Sequence, residues 1–318
     1  IGVNGPSAQL TFKVENKGDL LAGMWFDIES PGRVDEYGSA AVANDAIITN
    51  PTLTPTQVEL WIGGKMIDRQ DALYSAYMYP NFLANSFTKT WLPSGEVTRG
   101  KNTYPLHFFN CDNTTTPIPL VALQYQEVEI RVNQSPNADS NTLRLFANYI
   151  QLDTTERQWF TEQSHDMLIT QVQRIQADDF GSDLIYLNHP VKALMWGIED
   201  GANGSVAAAG DDTKTDNVQL YVNGTQYYNT PMPTGYFSSV NPYYHSEYCN
   251  SPGTDENVCM FSFAMEANRH QPTGTLNFSR VDNAKLVWEA ASSPIYLYAV
   301  NYNIFRIESG LGGVRFSN

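Results

Sequence analysis

The stretch QVELWIGGKMID, from Gln57 to Asp68, alternates apolar and polar residues. Val58, Leu60 and Ile62 fall on one side and Glu59 on the other, the period-two pattern of a half-buried strand. Gly63-Gly64 follows, and glycine tolerates the positive φ that a two-residue hairpin turn requires. NVQLYVNGTQYY, from Asn217 to Tyr228, repeats the sentence. Val218, Leu220 and Val222 form its apolar side, Gln219 faces away, and Asn223-Gly224 supplies the turn. A second echo follows in the same order: LRLFANYIQL (Leu143 to Leu152) resembles IYLYAVNYNIFRI (Ile295 to Ile307), with Asn148-Tyr149 answering Asn301-Tyr302. Two matched pairs predict a duplicated domain, because the spacing far exceeds the roughly 20–50 residues of a solenoid unit.

The rest of the chain fits many short antiparallel strands punctuated by Gly, Pro, Asn and Ser, a sandwich or barrel. Strands are expected on both sides of the turn Asn16-Lys17-Gly18-Asp19, after which residues 30–55 are rich in loop signals. Residues 70–90 are the best helical candidate of the first half, interrupted by Pro80. PLHFFN and IPLVALQYQEVEIRV then read as strands. Asp153 followed three residues later by Glu156 is a capping box, which predicts a helix from Thr154 to about Gln163. That helix separates the repeats, giving an N-terminal domain over 1–153, a linker over 154–164 and a C-terminal domain over 165–318. In the second half HDMLITQVQRIQ and LIYLNHPVKALMWGIE open the domain, and residues 201–216 read as an exposed loop. A Tyr-rich stretch covers 227–252, and strands are expected at 258–267, 274–279, 284–290 and 295–307.

Length and charge narrow the function. The 318 residues suffice for two domains, and no run approaches the roughly 20 apolar residues of a membrane-spanning helix. No signal peptide is visible, and the sequence starts at Ile1 rather than Met. A formal net charge of −15, with Lys and Arg scattered, argues against direct nucleic acid binding and against docking on anionic lipid through a basic patch. Cys249 and Cys259 are spaced to close a loop. The favoured alternative is three reduced thiols, Cys111 included, as in cytosolic folding.

The search for chemistry nominates no active site, no cofactor and no metal. No two of the five histidines, His107, His165, His189, His245 and His270, are close in sequence, and no H-x-H pair occurs. Asp178-Asp179 with Asp183, and Asp211-Asp212 with Asp216, lack the Gly and closing Glu of a calcium loop and read as solvated charge. G-x-S-x-G is absent. ESGLGGV (Glu308 to Val314) lacks the Lys-Ser/Thr of a phosphate loop and reads as a tight turn before the last strand. Five Asn-x-Ser/Thr sequons, at Asn113, Asn133, Asn203, Asn223 and Asn277, are candidate glycosylation sites. At Asn223 the turn already explains the residue.

Several stretches together resemble one family. They are QVELWIGGKMID, PLVALQYQEVEI, NYIQLDTTERQWF, NHPVKALMWG, HQPTGTLNFSRVDNAKL and NYNIFRIESGLGGVRFSN. They look like the double jelly-roll major capsid proteins of nucleocytoplasmic large DNA viruses, closest to those of algal viruses. The resemblance implies an all-β fold of two tandem antiparallel jelly-roll sandwiches with a few short helices. It also implies a homotrimer forming a pseudo-hexagonal capsomer that meets neighbouring capsomers in an icosahedral shell. Minor capsid or cement proteins would be further partners. The inner viral membrane would be involved only indirectly, and assembly would take place in the host cytoplasm. The role would be structural, not enzymatic. Relatives carry an N-terminal arm and first strand upstream of the segment matching Gln9 to Leu21, so the strand count of the first jelly roll stays open. Loops such as 30–50 and 201–216 are short beside many relatives, which implies low outer towers. Aromatics in 227–249 (Tyr227, Tyr228, Tyr236, Phe237, Tyr243, Tyr244, Tyr248), where exposed, suit subunit contacts; ordinary core and loop packing is the equal alternative. The competing reading is a carbohydrate-binding or carbohydrate-active double jelly roll, in which these rings stack on sugars.

Overall fold

A computed structural model of the chain describes residues 9–29, 55–86, 88, 103–134, 142–177, 181–198, 217–247, 258–289 and 295–316. It contains two compact units that are not contiguous in sequence. The first comprises residues 1–72, 90–167 and 304–315, and the second 73–89, 168–303 and 316–318.

Both hairpins form as their patterns predict. Strands β3 (Pro55–Ile62) and β4 (Lys65–Asp71) flank Gly63 and Gly64 at φ of 59° and 76°. Val58, Leu60 and Ile62 are buried. A slip of one residue would turn all three to the opposite face, so this alternation sets the register. Strands β12 (Gln219–Val222) and β13 (Thr225–Gln226) flank Asn223 and Gly224 at 50° and 78°. One expectation fails here: Gln219 is buried rather than facing away, because the returning chain covers it and the Tyr228 carbonyl accepts from its Nε2 at 2.6 Å.

In the first unit β1 (Gln9–Lys13), β7 (Val128–Gln134), β3 and β4 form one antiparallel sheet in that order. The other sheet centres on β2 (Leu20–Glu29), which pairs with β5 (Thr103–Pro105), β6 (Ile118–Pro119) and β8 (Thr142–Ile150). Phe12 of β1 meets Phe26 of β2 at 5.2 Å, joining the two sheets through the core. The segments read as PLHFFN and IPLVALQYQEVEIRV strands are mostly turns, with pairing confined to β5, β6 and β7.

In the second unit β10 (Gly181–Asp183), β16 (Ala284–Val287), β12 and β13 form one sheet. The facing sheet holds β9 (His165–Ala177), β17 (Ile295–Glu308), β11 (Pro190–Ile198), β14 (Val258–Ser262) and β15 (Leu276–Asn277). Leu220 and Leu286 from one sheet and Leu194, Trp196, Leu297 and Phe261 from the other share one buried core. This is sandwich packing of two inner faces. β17 carries the chain from Ile304 onward into the first unit. There it turns at Ser309-Gly310, with φ of 52° and 80°, into β18 (Leu311–Val314). The glycine-rich terminal stretch is thus the expected hairpin turn.

Numbering the strands in chain order exposes the duplication. β1 pairs with β7, β7 with β3, β3 with β4, and β2 with β5, β6 and β8. Adding nine to every number gives the pairings of β10 through β17. The shared irregularities extend to the register, which shifts between Leu21 and Met24 of β2 and between Val191 and Ala193 of β11. Strand β9 has no counterpart among the described residues of the first unit.

Three helical segments matter below. Tyr74–Leu83 is a wide helix containing Pro80, closed by an i→i+5 bond from the Ala84 N–H to the Tyr79 carbonyl at 3.0 Å. Proline removes one ladder donor, and a π-type register is one way a helix absorbs that loss. Thr154–Glu162 starts at the predicted capping box, with Glu156 Oε2 accepting the Asp153 N–H at 3.1 Å. A π-type turn, Tyr236–Val240, runs into the short helix Asn241–His245.

Candidate functional site

The sequence-derived candidates do not converge. Asn113 stands after β5, where its Oδ1 accepts from the backbone N–H and the hydroxyl of Thr115, both at 2.6 Å. Asn133 lies on β7 and donates its Nδ2 to Gln57 at 2.9 Å. Asn223 occupies the β12–β13 turn, its Oδ1 accepting from the N–H groups of Asp282 and Asn283 at 3.1 and 3.3 Å. Asn277 ends β15 and accepts from the Ser279 N–H at 3.1 Å. Asn203 lies outside the described residues. The described sequons thus lie apart along the chain; Asn113 and Asn277 bond nearby backbone N–H groups, and Asn223 bonds those of a distant bend.

The histidines are dispersed as well. His107 is buried, and burial pushes its pKa down to about 3, so the ring stays neutral. His165 Nε2 lies 2.9 Å from the Phe160 carbonyl, and His245 Nδ1 lies 2.8 Å from that of Ala264. His270 is half-buried, and burial and Lys192 lower its pKa. Among the described residues no three His, Cys, Asp or Glu side chains gather as metal ligands. Asp183 is exposed, whereas Asp178, Asp179, Asp211, Asp212 and Asp216 lie outside the described residues. Cys111 and Cys259 are buried free thiols. Cys249 falls outside the described residues. Burial pushes Cys111 up to about 12, where the nucleophilic thiolate is negligible.

What the structure does assemble is surface. Large apolar side chains stand exposed in the second unit at Tyr227, Val240, Tyr243, Tyr244 and Met265. Tyr243 and Tyr244 meet edge to face at 5.1 Å. Tyr228, Tyr236 and Phe237 correct the sequence expectation. Phe237 is fully buried against Trp196 at 5.1 Å, and the two tyrosines are partly buried. Between them opens a cleft of about 430 Å³ lined by Tyr227, Tyr228, Tyr236, His245, Phe261 and Met265, among others. Burial, with Tyr236 adjoining, holds the Tyr228 phenol well above its usual range. In the first unit Trp25 stacks on Phe146 at 5.9 Å and 10° on the outward face of β2 and β8. Exposed apolar groups of this kind mark interaction sites more often than catalytic ones.

The Thr154–Glu162 helix buries no residue. It is held instead by Asp19, whose Oδ2 accepts from the Leu152 N–H at 2.8 Å and from Arg157 Nη2 at 2.9 Å. Those two bonds hold the Asp19 carboxyl below the ordinary carboxylate range. Arg306 grips Asp166 with two bonds of 2.7 Å each.

Comparison with known proteins gives one answer. A family profile described as "Large eukaryotic DNA virus major capsid protein" matches residues 156–313, and one described as "Major capsid protein N-terminus" matches residues 2–224. The major capsid protein of Pyramimonas orientalis virus is 31% identical, over 98% of this chain and 86% of that protein. That of Paramecium bursaria Chlorella virus 1 is 29% identical, over 82% of this chain and 78% of its own length. In the quasi-atomic PBCV-1 capsid, a chain superimposes with a TM-score of 0.80 at 23% identity, covering all of this chain and 94% of that one. The Faustovirus major capsid protein superimposes at 0.64 with 13% identity, over 95% and 88%. The fold is therefore the double jelly roll, and its role is structural. With two profiles spanning both repeats and a full-length relative in an algal virus, this chain belongs to the major capsid protein family of large eukaryotic DNA viruses.

Proposed function

We propose that the chain is the shell-forming subunit of a large DNA virus, acting as a homotrimer whose six jelly rolls imitate a hexagon. The observation that carries this reading is the strand plan in which every pairing of the first repeat recurs nine strands later. Two alike sandwiches in each of three chains give six alike corners, and six-fold tiles fill a flat facet. Residues 154–164 act as the connector between repeats 1–153 and 165–318, in keeping with a helix that buries nothing. The chain works without enzymatic activity, within the virion, after assembly in the host cytoplasm.

At −15 per copy, trimers repel one another in an array. Minor capsid or cement proteins, or cations, therefore bridge them. The same charge keeps the subunit off nucleic acid, and its relation to the inner membrane is indirect. Asn113, Asn133, Asn223 and Asn277, with Asn203, are its candidate glycan carriers. Intact-mass and glycopeptide measurements on virions decide which are used.

The test of the main reading is native mass. Light scattering of purified protein should give three times 35.6 kDa, with hexagonal outlines in electron micrographs. A particle that stays at 35.6 kDa at every concentration refutes it. The tyrosine-lined cleft of about 430 Å³ favours a second reading, glycan binding, since neutral aromatic clefts of this size accept small ligands. A glycan array on which the protein binds nothing removes that reading.

A further inference from the structure

The nine-strand offset matches β1 through β8 with β10 through β17, and the helix after the fourth strand recurs with them. Tyr74–Leu83 follows β4, and the 236–245 helical segment follows β13. Setting Pro80 on Pro242 aligns Tyr74 with Tyr236, Met78 with Val240 and Phe82 with Tyr244.

The two helices differ in how far they are covered. Within the second unit Met78 and Phe82 are 0% and 1% exposed. They pack in one cluster with Met195, Met260 and Tyr298. Those three residues form a row across the outward face of the sheet, Met195 standing opposite Met260 on β14 and Tyr298 on β17. Tyr74 touches the same row, its ring 5.7 Å from that of Tyr298.

The row has a counterpart in the first unit. Trp25 of β2 stands opposite Pro105 on β5 and Phe146 on β8. Met24 and Phe26 are buried on either side of Trp25, so alternation turns Trp25 and its neighbours outward. Trp25 is only half-buried, and Phe146 is 43% exposed. The matching helix buries Phe237, Asn241 and Pro242 in its own unit, but its outer face is exposed, with Val240 at 43% and Tyr244 at 71%. The described residues therefore hold one covered helix-on-sheet seat, one exposed sheet row and one helix with an exposed outer face.

We propose that the 236–245 helix of one copy lies on the Trp25–Phe146 face of a second copy, repeating the seat that Tyr74–Leu83 takes on the Met195–Tyr298 row. This rests on the assembly reading above and names its contact. The contact joins different patches, so it is head-to-tail and must close into a ring. Closure on three copies alternates seats within and between chains around six sandwiches. Charge favours the same surface. Val240, Tyr243 and Tyr244 carry none in a chain of net −15, so copies meet there without like-charge repulsion.

The test uses the full chain. Trp25→Asp and Tyr244→Asp should each raise the concentration for half assembly by about 30-fold or more, the loss of a hot spot of about 2 kcal/mol. Tyr186→Asp, at an exposed position of the second unit outside this surface, should assemble as the wild type does. A second measurement does not depend on how well the aspartate variants fold. Chains carrying Phe146→Cys, mixed with chains carrying Tyr244→Cys, should give a covalent dimer with a short bismaleimide, and neither variant alone should. Wild-type trimers with no cross-link, and with both aspartate variants still trimeric, overturn this seat and leave the assembly reading standing. A wild-type chain that never associates overturns both.

Discussion

Phe82 and Tyr244 occupy the same position of the two repeats, and truncating each to alanine should have opposite consequences for the isolated subunit. Phe82 is 1% exposed and packs against the Met195–Tyr298 row. Phe82→Ala removes a whole ring from a filled site, and such truncations cost about 3–5 kcal/mol when the cavity cannot collapse. The cluster around it is walled by strands of a sheet and by the helix itself, so little collapse is available. Tyr244 is 71% exposed, and Tyr244→Ala should stay within about 0.5 kcal/mol for a dissociated chain. With a urea m-value of about 2 kcal/mol/M for one unit, Phe82→Ala should lower that unit's midpoint by about 1.5–2.5 M. Urea unfolding followed by fluorescence, at a concentration low enough to dissociate oligomers, measures the shift. Peptide-resolved hydrogen exchange assigns it to β11 and β17. Equal midpoints for the two variants would refute the claim that Phe82 is covered within the chain and Tyr244 is not.

Three other outcomes follow from single contacts. Gly181 sits at φ 144°, and a Cβ there would lie 2.3 Å from the Leu286 carbonyl oxygen across the β10–β16 pair. Gly181→Ala should therefore cost about 2 kcal/mol or more by thermal or urea denaturation, and a neutral result contradicts the close approach. Asp19 has its pKa lowered by the Leu152 N–H and Arg157. Its stabilising effect is thus fully present above the unfolded value of about 3.9 and is lost as pH falls through the lower folded value. The stability gap between wild type and Asp19→Asn should be constant at neutral pH and close below about pH 4; a gap that widens on acidification reverses the assignment. Cys111, with its thiol pushed up to about 12, should resist maleimide in the native protein at pH 8 and react once urea unfolds it. Peptide mass mapping reads the difference, and rapid native labelling would contradict its burial.

Much of the architecture was legible because its signals are local. Alternation at Val58, Leu60 and Ile62, with Gly63-Gly64, specified a hairpin without reference to the rest of the chain. The capping box at Asp153 and Glu156 likewise marked a helix start that the structure places at Thr154. Side chains whose environment is supplied from far away were misjudged. Gln219 was expected to face solvent, but the chain returning at Tyr228 covers it. The sequence leaves Phe237 between a surface contact and the core, and it packs against Trp196. In both cases the local pattern is compatible with either state, and a distant segment decides.

The echoed hairpins and the echoed Asn-Tyr strands determined, from sequence alone, that one plan is written twice, because strand period and turn chemistry are properties of a few adjacent residues. Which copy of an element ends up covered is a different kind of fact. Tyr74–Leu83 and the 236–245 segment share a motif, yet Met78 and Phe82 of one are sealed over Met195 and Tyr298 while Val240 and Tyr244 of the other stand exposed. Burial is a relation between residues far apart in sequence, and a sheet face acquires its partner only when the strands beneath it have paired. Only the tertiary structure, therefore, showed that Met78 and Phe82 are covered while their counterparts Val240 and Tyr244 stand exposed.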